Sequence, residues 1–188
     1  AVTVQGAGFF IDKENKLAWT SIKDNPVIKV PNGDTGLKIE GIHFAGNVSI
    51  EGDSLCNFTI TKCRIGDLTA TAKLVEGEIS QSYILNIKYA ETRKLYIHHV
   101  VMHTLNATSD EQISVDIDHC VLTGNMTESV TAVVRNSLLK NVRGTASCAF
   151  YNALMSQNNA NGYYSSTPWC GHITSIYLAG NTIWTVNV

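Results

Sequence analysis

A short apolar pattern recurs seven times along this 188-residue chain and restricts its fold more than any other feature. Within each nine-residue segment, positions two, four and nine are apolar, and position seven is usually small or moderately apolar. The segments are residues 36–44, 57–65, 71–79, 94–102, 114–122, 131–139 and 175–183, and the third matches the pattern least well. Such self-similarity indicates a repeat architecture.

Alternation with a period of two predicts β-strands and disfavours helix. Between positions four and seven the apolar phase shifts from even to odd, which requires a bend. Residues that suit this bend are Gly41, Gly77, Asn136 and Gly180. A unit of about 20 residues cannot bury its own apolar side, but units stacked about 4.8 Å apart form a continuous core. The sequence therefore predicts an all-β parallel β-helix, a solenoid of about seven to eight coils.

Four stretches of the chain, ITKCRIGD, IDHCVLTGN, VRNSLLKNV and LAGNTIW, resemble successive coils of the right-handed parallel β-helix, or pectin-lyase-like, superfamily. The resemblance covers roughly residues 36–188 and is closest to secreted bacterial members of polysaccharide-degrading systems, many of unassigned function. It implies a right-handed, single-stranded coil. It also implies an extracellular or cell-envelope location and a polysaccharide or other glycan as the ligand.

Two parts of the chain lie outside the regular repeat. Residues 1–35 are predicted to form an N-terminal cap or an irregular first coil, because a solenoid must cover its open strand edge. The chain from 139 to 175 is too long for one coil and predicts a loop insertion around 144–171, in which CAFYNALMSQ could form a short helix. Loops on repeat scaffolds often carry binding functions, so Tyr163, Tyr164 and Trp169 are candidate ligand-binding aromatics. Their alternative role is packing within the fold.

Composition and charge exclude several classes of function. A net charge of −2 and a pI near 6.3 provide no basic field for nucleic acid. The longest apolar runs are only a few residues, far short of the roughly 20 that a spanning helix needs, so no membrane insertion is predicted. Because no charged-then-apolar leader precedes Ala1, we expect either a mature chain or a protein that is not exported.

The five cysteines are irregularly spaced and contain neither a CxxC pair nor a cluster with histidine. Cys63 and Cys120 occupy position seven and are predicted to be buried thiols. Cys148 and Cys170 flank the insertion and could form a disulfide.

No metal site and no cofactor are predicted. No motif indicates calcium, although β-helix enzymes of the pectate lyase type use it. His99 and His119 occupy position six of adjacent coils and are predicted to form a surface pair that lacks further metal ligands.

The side chains at positions three and five of each coil face solvent, and stacking aligns them in columns. In the middle coils, Asp116 and Asp118 could act as an acid–base pair, since glycoside hydrolysis needs two carboxylates about 5–9.5 Å apart. Arg135 could hold a uronate carboxylate or act in β-elimination. Tyr96 offers a stacking face and His98 could exchange protons near neutral pH. The alternative is a solvated surface on which Asp118 and Arg135 form a cross-strand ion pair.

The sequence thus predicts a secreted or cell-surface domain that binds or processes polysaccharide. The alternative is a non-catalytic structural or adhesive β-helix module. If the protein is an enzyme, it is a polysaccharide lyase or a glycoside hydrolase. The acidic calcium cluster of pectate lyases, and the Gly-His-Gly turn and Arg-x-Lys segment of polygalacturonases, are not intact here, so enzymatic activity is left open.

Overall fold

The computed structural model describes residues 2–7, 20–31, 36–89, 92–107, 113–126, 130–142, 148–151, 154–156, 176–179 and 182–184. Among these residues every regular element is a β-strand, and no helix suited to crossing a membrane occurs. In chain order the strands are Val2–Gln5 (β1), Thr20–Ile22 (β2), Val27–Lys29 (β3), Leu37–Glu40 (β4), Ile42–Phe44 (β5), Val48–Glu51 (β6), Ser54–Leu55 (β7), Phe58–Thr61 (β8), Arg64–Ala70 (β9), Lys73–Ser80 (β10), Tyr83–Tyr89 (β11), Thr92–His98 (β12), Val101–Ala107 (β13), Ile113–Asp118 (β14), Val121–Met126 (β15), Val130–Arg135 (β16), Leu138–Val142 (β17), Cys148–Tyr151 (β18), Leu154–Ser156 (β19), Ile176–Ala179 (β20) and Thr182–Trp184 (β21).

The strands form two parallel sheets. The first sheet follows the order β1-β4-β8-β10-β12-β14-β16-β18-β20, and the second follows β2-β5-β9-β11-β13-β15-β17-β19-β21. The short strand β7 also pairs with β10, and β6 pairs with β3 and β9. From β8 onward the chain alternates between the sheets and always advances to the next strand, so it winds as a stack of coils. The predicted all-β parallel β-helix is confirmed, with a coil count slightly different from the predicted seven to eight.

The core consists of two columns of inward-facing side chains in the first sheet, together with their counterparts in the second. In six successive coils position four is occupied by a β-branched residue, which suits a pleated strand, and the register then continues to Phe150 and Leu178. The column at this position is Ile39, Ile60, Ile79, Ile97, Ile117 and Val134, all buried and in register. This stacking explains why a 20-residue unit needs its neighbours to bury its apolar side.

Each coil bends at position six, where the backbone enters the left-handed region. The residues with positive φ at this position are Gly41, Lys62, Gln81, His99, His119 and Asn136. The N–H of each bend residue donates to a carbonyl of the next coil, as in His99 N to Asp118 O at 3.1 Å. The predicted bend is thus confirmed at Gly41 and Asn136, while Gly180 lies outside the described residues.

Position seven follows the bend and holds buried side chains, which are small in most coils and are Ile42 and Val100 in two others. Cys63 and Cys120 are fully buried, as predicted. The Cys63 N–H donates to Ser82 Oγ at 3.0 Å, and the Cys120 N–H donates to Ser137 Oγ at 3.0 Å. Burial raises the pKa of Cys120 to about 11, so its thiol is a packing group rather than a nucleophile. The disulfide considered between Cys148 and Cys170 involves a residue outside the described part of the chain.

The register predicted for the third repeat is wrong by five residues. The sequence pattern placed Ala72 and Leu74 at positions two and four, but the structure has Gly77 and Ile79 there. Gly77 therefore lies within β10 rather than at a bend, and the bend residue of this coil is Gln81.

The physical reason for this error is the contact between Phe58 and Gly77. A Cβ atom at position 77 would lie 1.8 Å from Cε1 of Phe58, so the phenyl ring occupies that inward space. Because one large side chain fills two positions of the column, the apolar pattern is interrupted at Gly77.

Strands also occur at both ends of the regular repeat. Within residues 1–35, β1, β2 and β3 pair in parallel with β4, β5 and β6 of the following coil. The helix considered for CAFYNALMSQ is wrong, since β18 and β19 continue the two sheets. Alternation explains this result, because Cys148 and Phe150 pair in register with Ala132 and Val134. The rest of the predicted insertion, with its candidate aromatics Tyr163, Tyr164 and Trp169, lies outside the described residues.

Candidate functional site

The outer surface of the first sheet brings the predicted site residues of the middle coils together. Tyr96 lies opposite Asp116 in the ladder, and His98 lies opposite Asp118, which in turn lies opposite Arg135. Neighbouring strands are about 4.8 Å apart, so these side chains share one patch of surface.

Arg135 is engaged on two sides. Its Nη1 lies 3.6 Å from Oδ1 of Asp116, and its guanidinium lies over the ring of Tyr151 at 5.7 Å from the centroid. The predicted ion pair between Asp118 and Arg135 is therefore wrong: the two residues are opposite in register, but the guanidinium pairs diagonally with Asp116.

Asp118 is engaged by its own neighbours instead. Its Oδ1 accepts hydrogen bonds from Asn136 Nδ2 at 3.0 Å and from His119 Nδ1 at 2.9 Å. Partial burial raises the pKa of Asp118, but these hydrogen bonds outweigh it and the net pKa is lowered. The carboxylate is thus ionised at neutral pH and is a poor proton donor.

Glu78 is a site residue that the sequence pattern missed. It lies between Thr59 and Tyr96 in the ladder, and its Oε1 is 3.0 Å from Nε2 of His98. The register predicted for the third repeat, which is shifted by five residues, assigned position three of this coil to Lys73 rather than to Glu78. The stretch ISQSYI, which repeats the pattern of ITKCRI, was the signal that could have revealed it.

A groove of about 270 Å³ lies along this surface, beside Tyr96. Glu76 pairs in register with Lys94 in its wall, and Glu78 pairs with Tyr96. The groove therefore combines an aromatic ring, two carboxylates and an ammonium group. Its lining residues are Asn57, Phe58, Thr59, Glu76, Gly77, Glu78, Lys94 and Tyr96.

Tyr96 is held in place and remains a hydrogen-bond donor. Its ring stacks on His98 with centroids 4.6 Å apart, and 36% of the residue is exposed. Burial, followed by the negative charges of Asp118, Asp116 and Glu78, raises the pKa of the phenol. The hydroxyl therefore keeps its proton at neutral pH.

Three histidines are packed together where the first sheet meets the bend. The rings of His99 and His119 stack with centroids 5.1 Å apart and planes 1° apart, which confirms the predicted surface pair. Nδ1 of His98 lies 3.1 Å from Nδ1 of His99. At this distance one of the two nitrogens donates a hydrogen bond to the other, and the tautomers decide which one is the donor.

The groove and the adjoining patch around Asp116, Asp118 and Arg135 carry more acidic than basic side chains. Four acidic and two basic residues belong to them, if histidine is counted as neutral and Lys73 and Arg93, which lie earlier on strands β10 and β12, are left out. The acidic residues are Glu76, Glu78, Asp116 and Asp118, and the basic residues are Lys94 and Arg135.

The outer surface of the second sheet has a different character. Tyr83, Leu85, Val101 and Leu138 are each 40% or 41% exposed there. Tyr83 and Val101 are neighbours in the ladder. Exposed apolar residues grouped on one face are more typical of an interaction surface than of a solvated one.

Comparisons with protein-family models, with curated proteins and with solved structures find no match to this chain. The resemblance to the pectin-lyase-like superfamily is therefore an expectation from the sequence. The structure itself establishes the coarser class: the chain forms an all-β parallel β-solenoid.

Proposed function

We propose that this protein is an extracellular or cell-envelope module that binds polysaccharide in the groove beside Tyr96. The observation that supports this proposal is the placement of an exposed aromatic ring between hydrogen-bonding groups. Sugar rings have apolar faces that stack on aromatic side chains, and their hydroxyls donate to carboxylates. Glu76 and Glu78 supply such acceptors in the groove wall.

The charge of the surface favours a neutral polysaccharide over a polyuronate. The acidic residues outnumber the basic ones, so a polyanion would be repelled. Arg135, which the sequence suggested as a uronate clamp, already pairs with Asp116 and covers Tyr151.

The site supports binding better than catalysis. Glycoside hydrolysis needs one carboxyl group that is protonated near neutral pH, which requires a raised pKa. The pKa of Asp118 is instead lowered, by hydrogen bonds from Asn136 and His119 that outweigh partial burial. Asp118 therefore cannot serve as the acid of the predicted pair, and that role would fall to Asp116, whose carboxylate is paired with Arg135.

Isothermal titration against a panel of neutral and acidic polysaccharides tests this proposal. We expect a neutral polymer to bind, and Tyr96→Ala to weaken binding about fivefold or more, since stacking on one aromatic contributes about 1 kcal/mol or more. Tyr83→Ala, which removes an exposed tyrosine from the other sheet, is the matched control and should bind as the wild type does. The proposal fails if no glycan binds, or if both variants lose affinity equally. New reducing ends or unsaturated uronide absorbance would show that the module also cleaves its ligand.

The second candidate is a structural or adhesive module, and the exposed apolar residues of the second sheet favour it. This function predicts that changing Tyr83 and Leu138 to serine reduces self-association in analytical ultracentrifugation. It also predicts that Tyr96→Ala has no effect in any binding assay. The two candidates are therefore separated by which sheet is sensitive to substitution.

A further inference from the structure

His98 and His99 are adjacent in sequence, yet their rings approach each other. Successive side chains of a strand normally point to opposite faces. The left-handed backbone of His99, with φ of 55°, breaks this alternation at the bend. The two rings meet edge to face with centroids 5.3 Å apart, and the two Nδ1 atoms are 3.1 Å apart.

This separation suits two ligands of one metal ion. Zinc binds imidazole nitrogen at about 2.0–2.1 Å, so two nitrogens at this distance would subtend an angle of roughly 100° at the ion. That angle lies close to the tetrahedral value. We propose that His98 and His99 form a two-histidine chelate for a divalent transition-metal ion of the zinc class.

Glu78 is the positioning residue of this chelate. Its Oε1 lies 3.0 Å from Nε2 of His98, and a carboxylate oxygen can only accept the hydrogen bond that an Nε2–H donates. Neutral His98 then has its lone pair on Nδ1, the atom that faces His99. A carboxylate that orients a ligating histidine through its other nitrogen is a recurring feature of metal sites.

His119 supports the second ligand without joining it. Its ring stacks on that of His99, and its Nδ1 donates to Oδ1 of Asp118. Among the residues that the structure describes, no three His, Cys, Asp or Glu side chains converge on one point. The protein therefore supplies two nitrogen ligands, and water completes the coordination of the ion.

Nitrogen ligands also determine which ions bind. Imidazole suits zinc, copper and nickel, whereas calcium and magnesium prefer oxygen. The chelate adjoins the proposed glycan groove, since Glu78 belongs to both and Tyr96 stacks on His98, but its ligating Nδ1 atoms lie at the bend rather than in the wall of the groove.

Titration of the whole chain with Zn²⁺ tests the proposal, with Ca²⁺ as the oxygen-preferring comparison. His99→Asn is the main variant, since Asn136 occupies the equivalent bend with φ of 48° and shows that asparagine fits there. We expect this variant to bind Zn²⁺ at least tenfold more weakly than the wild type while keeping its thermal unfolding midpoint. His103→Asn, which removes a histidine of the second sheet near Thr123, should leave zinc affinity unchanged.

Long-range ¹H–¹⁵N spectra of the histidine rings identify the ligating atoms. Zinc should shift the Nδ1 resonances of His98 and His99 and leave those of His103 in place. The proposal is overturned if the wild type binds no zinc, if His99→Asn binds it equally well, or if the Nδ1 resonances do not move.

Glu78→Gln tests the positioning role separately. We expect zinc affinity to fall about 10–100-fold, as it does when such outer carboxylates are removed. The same spectra of the metal-free protein should show a smaller fraction of His98 protonated on Nε2. An unchanged tautomer and an unchanged affinity would overturn the role of Glu78.

Discussion

The phenyl ring of Phe58 occupies the space that a side chain at position 77 of the next coil would need. A Cβ atom on Gly77 would lie 1.8 Å from Cε1 and 2.3 Å from Cδ1 of that ring. The two residues are direct neighbours in the ladder, so the large side chain of one coil compensates for the missing side chain of the other. The core is therefore continuous across a coil that has no apolar residue at position two.

Substitution of Gly77 should show that packing of the Phe58 ring depends on the absence of a side chain at position 77. Gly77→Ala is expected to lower the free energy of unfolding by about 1–3 kcal/mol, because the ring must move out of a close-packed core. Urea denaturation measures the change. Adding Phe58→Leu, which matches Leu37 and Leu95 at the equivalent position, should recover part of the loss. A Gly77→Ala protein as stable as the wild type would contradict this account of the core.

The buried hydroxyl of Ser82 makes two hydrogen bonds that hold the bend. It accepts from the Cys63 N–H at 3.0 Å and donates to the Ser80 carbonyl at 2.6 Å. Ser82→Ala leaves the buried N–H unsatisfied, and we expect a loss of about 1–3 kcal/mol in urea denaturation.

Ser82→Cys is the matched variant, because cysteine occupies this position in other coils. Cys63 Sγ donates to the Thr61 carbonyl at 3.2 Å, so a thiol reproduces one of the two hydrogen bonds. The cysteine variant should therefore be more stable than the alanine variant. Equal loss in both would show that the hydroxyl is not important to the bend.

Gln81 has a left-handed backbone, with φ of 47°, that disfavours bulky L-residues. Gln81→Val should cost about 1–2 kcal/mol, since a branched Cβ crowds the backbone in this region. Gln81→Asn should be at least as stable as the wild type, because asparagine tolerates this conformation and occupies it at position 136. Thermal unfolding of the two variants measures the difference, and equal midpoints would contradict the assigned backbone geometry.

Arg135 should couple energetically to Asp116 and not to Asp118. Both members of the pair are solvent-accessible, with side-chain exposures of 47% and 36%, so we expect a coupling of about 0.2–1 kcal/mol. Double-mutant cycles with Arg135→Ala, Asp116→Ala and Asp118→Ala measure both couplings at low ionic strength. A larger coupling to Asp118 would support the direct cross-strand pair that register alone suggests.

Asp118 should make stability depend on acid pH. Its folded-state pKa is lowered, because hydrogen bonds from Asn136 and His119 outweigh the opposing effect of partial burial. The stabilisation is therefore complete above the ordinary aspartate value of 3.8 and is lost as the pH falls through the lower folded-state value. Comparison of urea unfolding for the wild type and Asp118→Asn between neutral pH and about pH 2 tests this. A stability difference that stays constant to the lowest pH would show that Asp118 has no such role.

The fold class could be predicted because inward residues repeat in every coil. Position four holds isoleucine or valine in six successive coils, and this repetition indicates stacked strands. The register of one coil could not be predicted, since Gly77 breaks the pattern and its compensation by Phe58 is visible only in three dimensions.

The candidate site was predicted in part for the same reason. Tyr96, His98, Asp116, Asp118 and Arg135 lie on correctly aligned coils and meet as expected. Glu78 belongs to the misaligned coil and was missed. The partner of Arg135 could not be predicted either, because a flexible side chain reaches diagonal as well as direct neighbours.

The hydrogen bond from each bend residue to the next coil also limits where insertions and deletions can be accommodated during evolution. Equivalent core residues are 16 positions apart from Ala132 to Cys148 but 28 apart from Cys148 to Ile176, while the ladder of the first sheet continues through both intervals. Length differences are thus absorbed on the return from the second sheet, away from the bend. Duplication or deletion of a whole coil between two bends would leave every remaining contact type intact, since each coil meets only its neighbours. Evolution can therefore add or remove whole coils, and the columns of surface residues become longer or shorter while the fold stays the same.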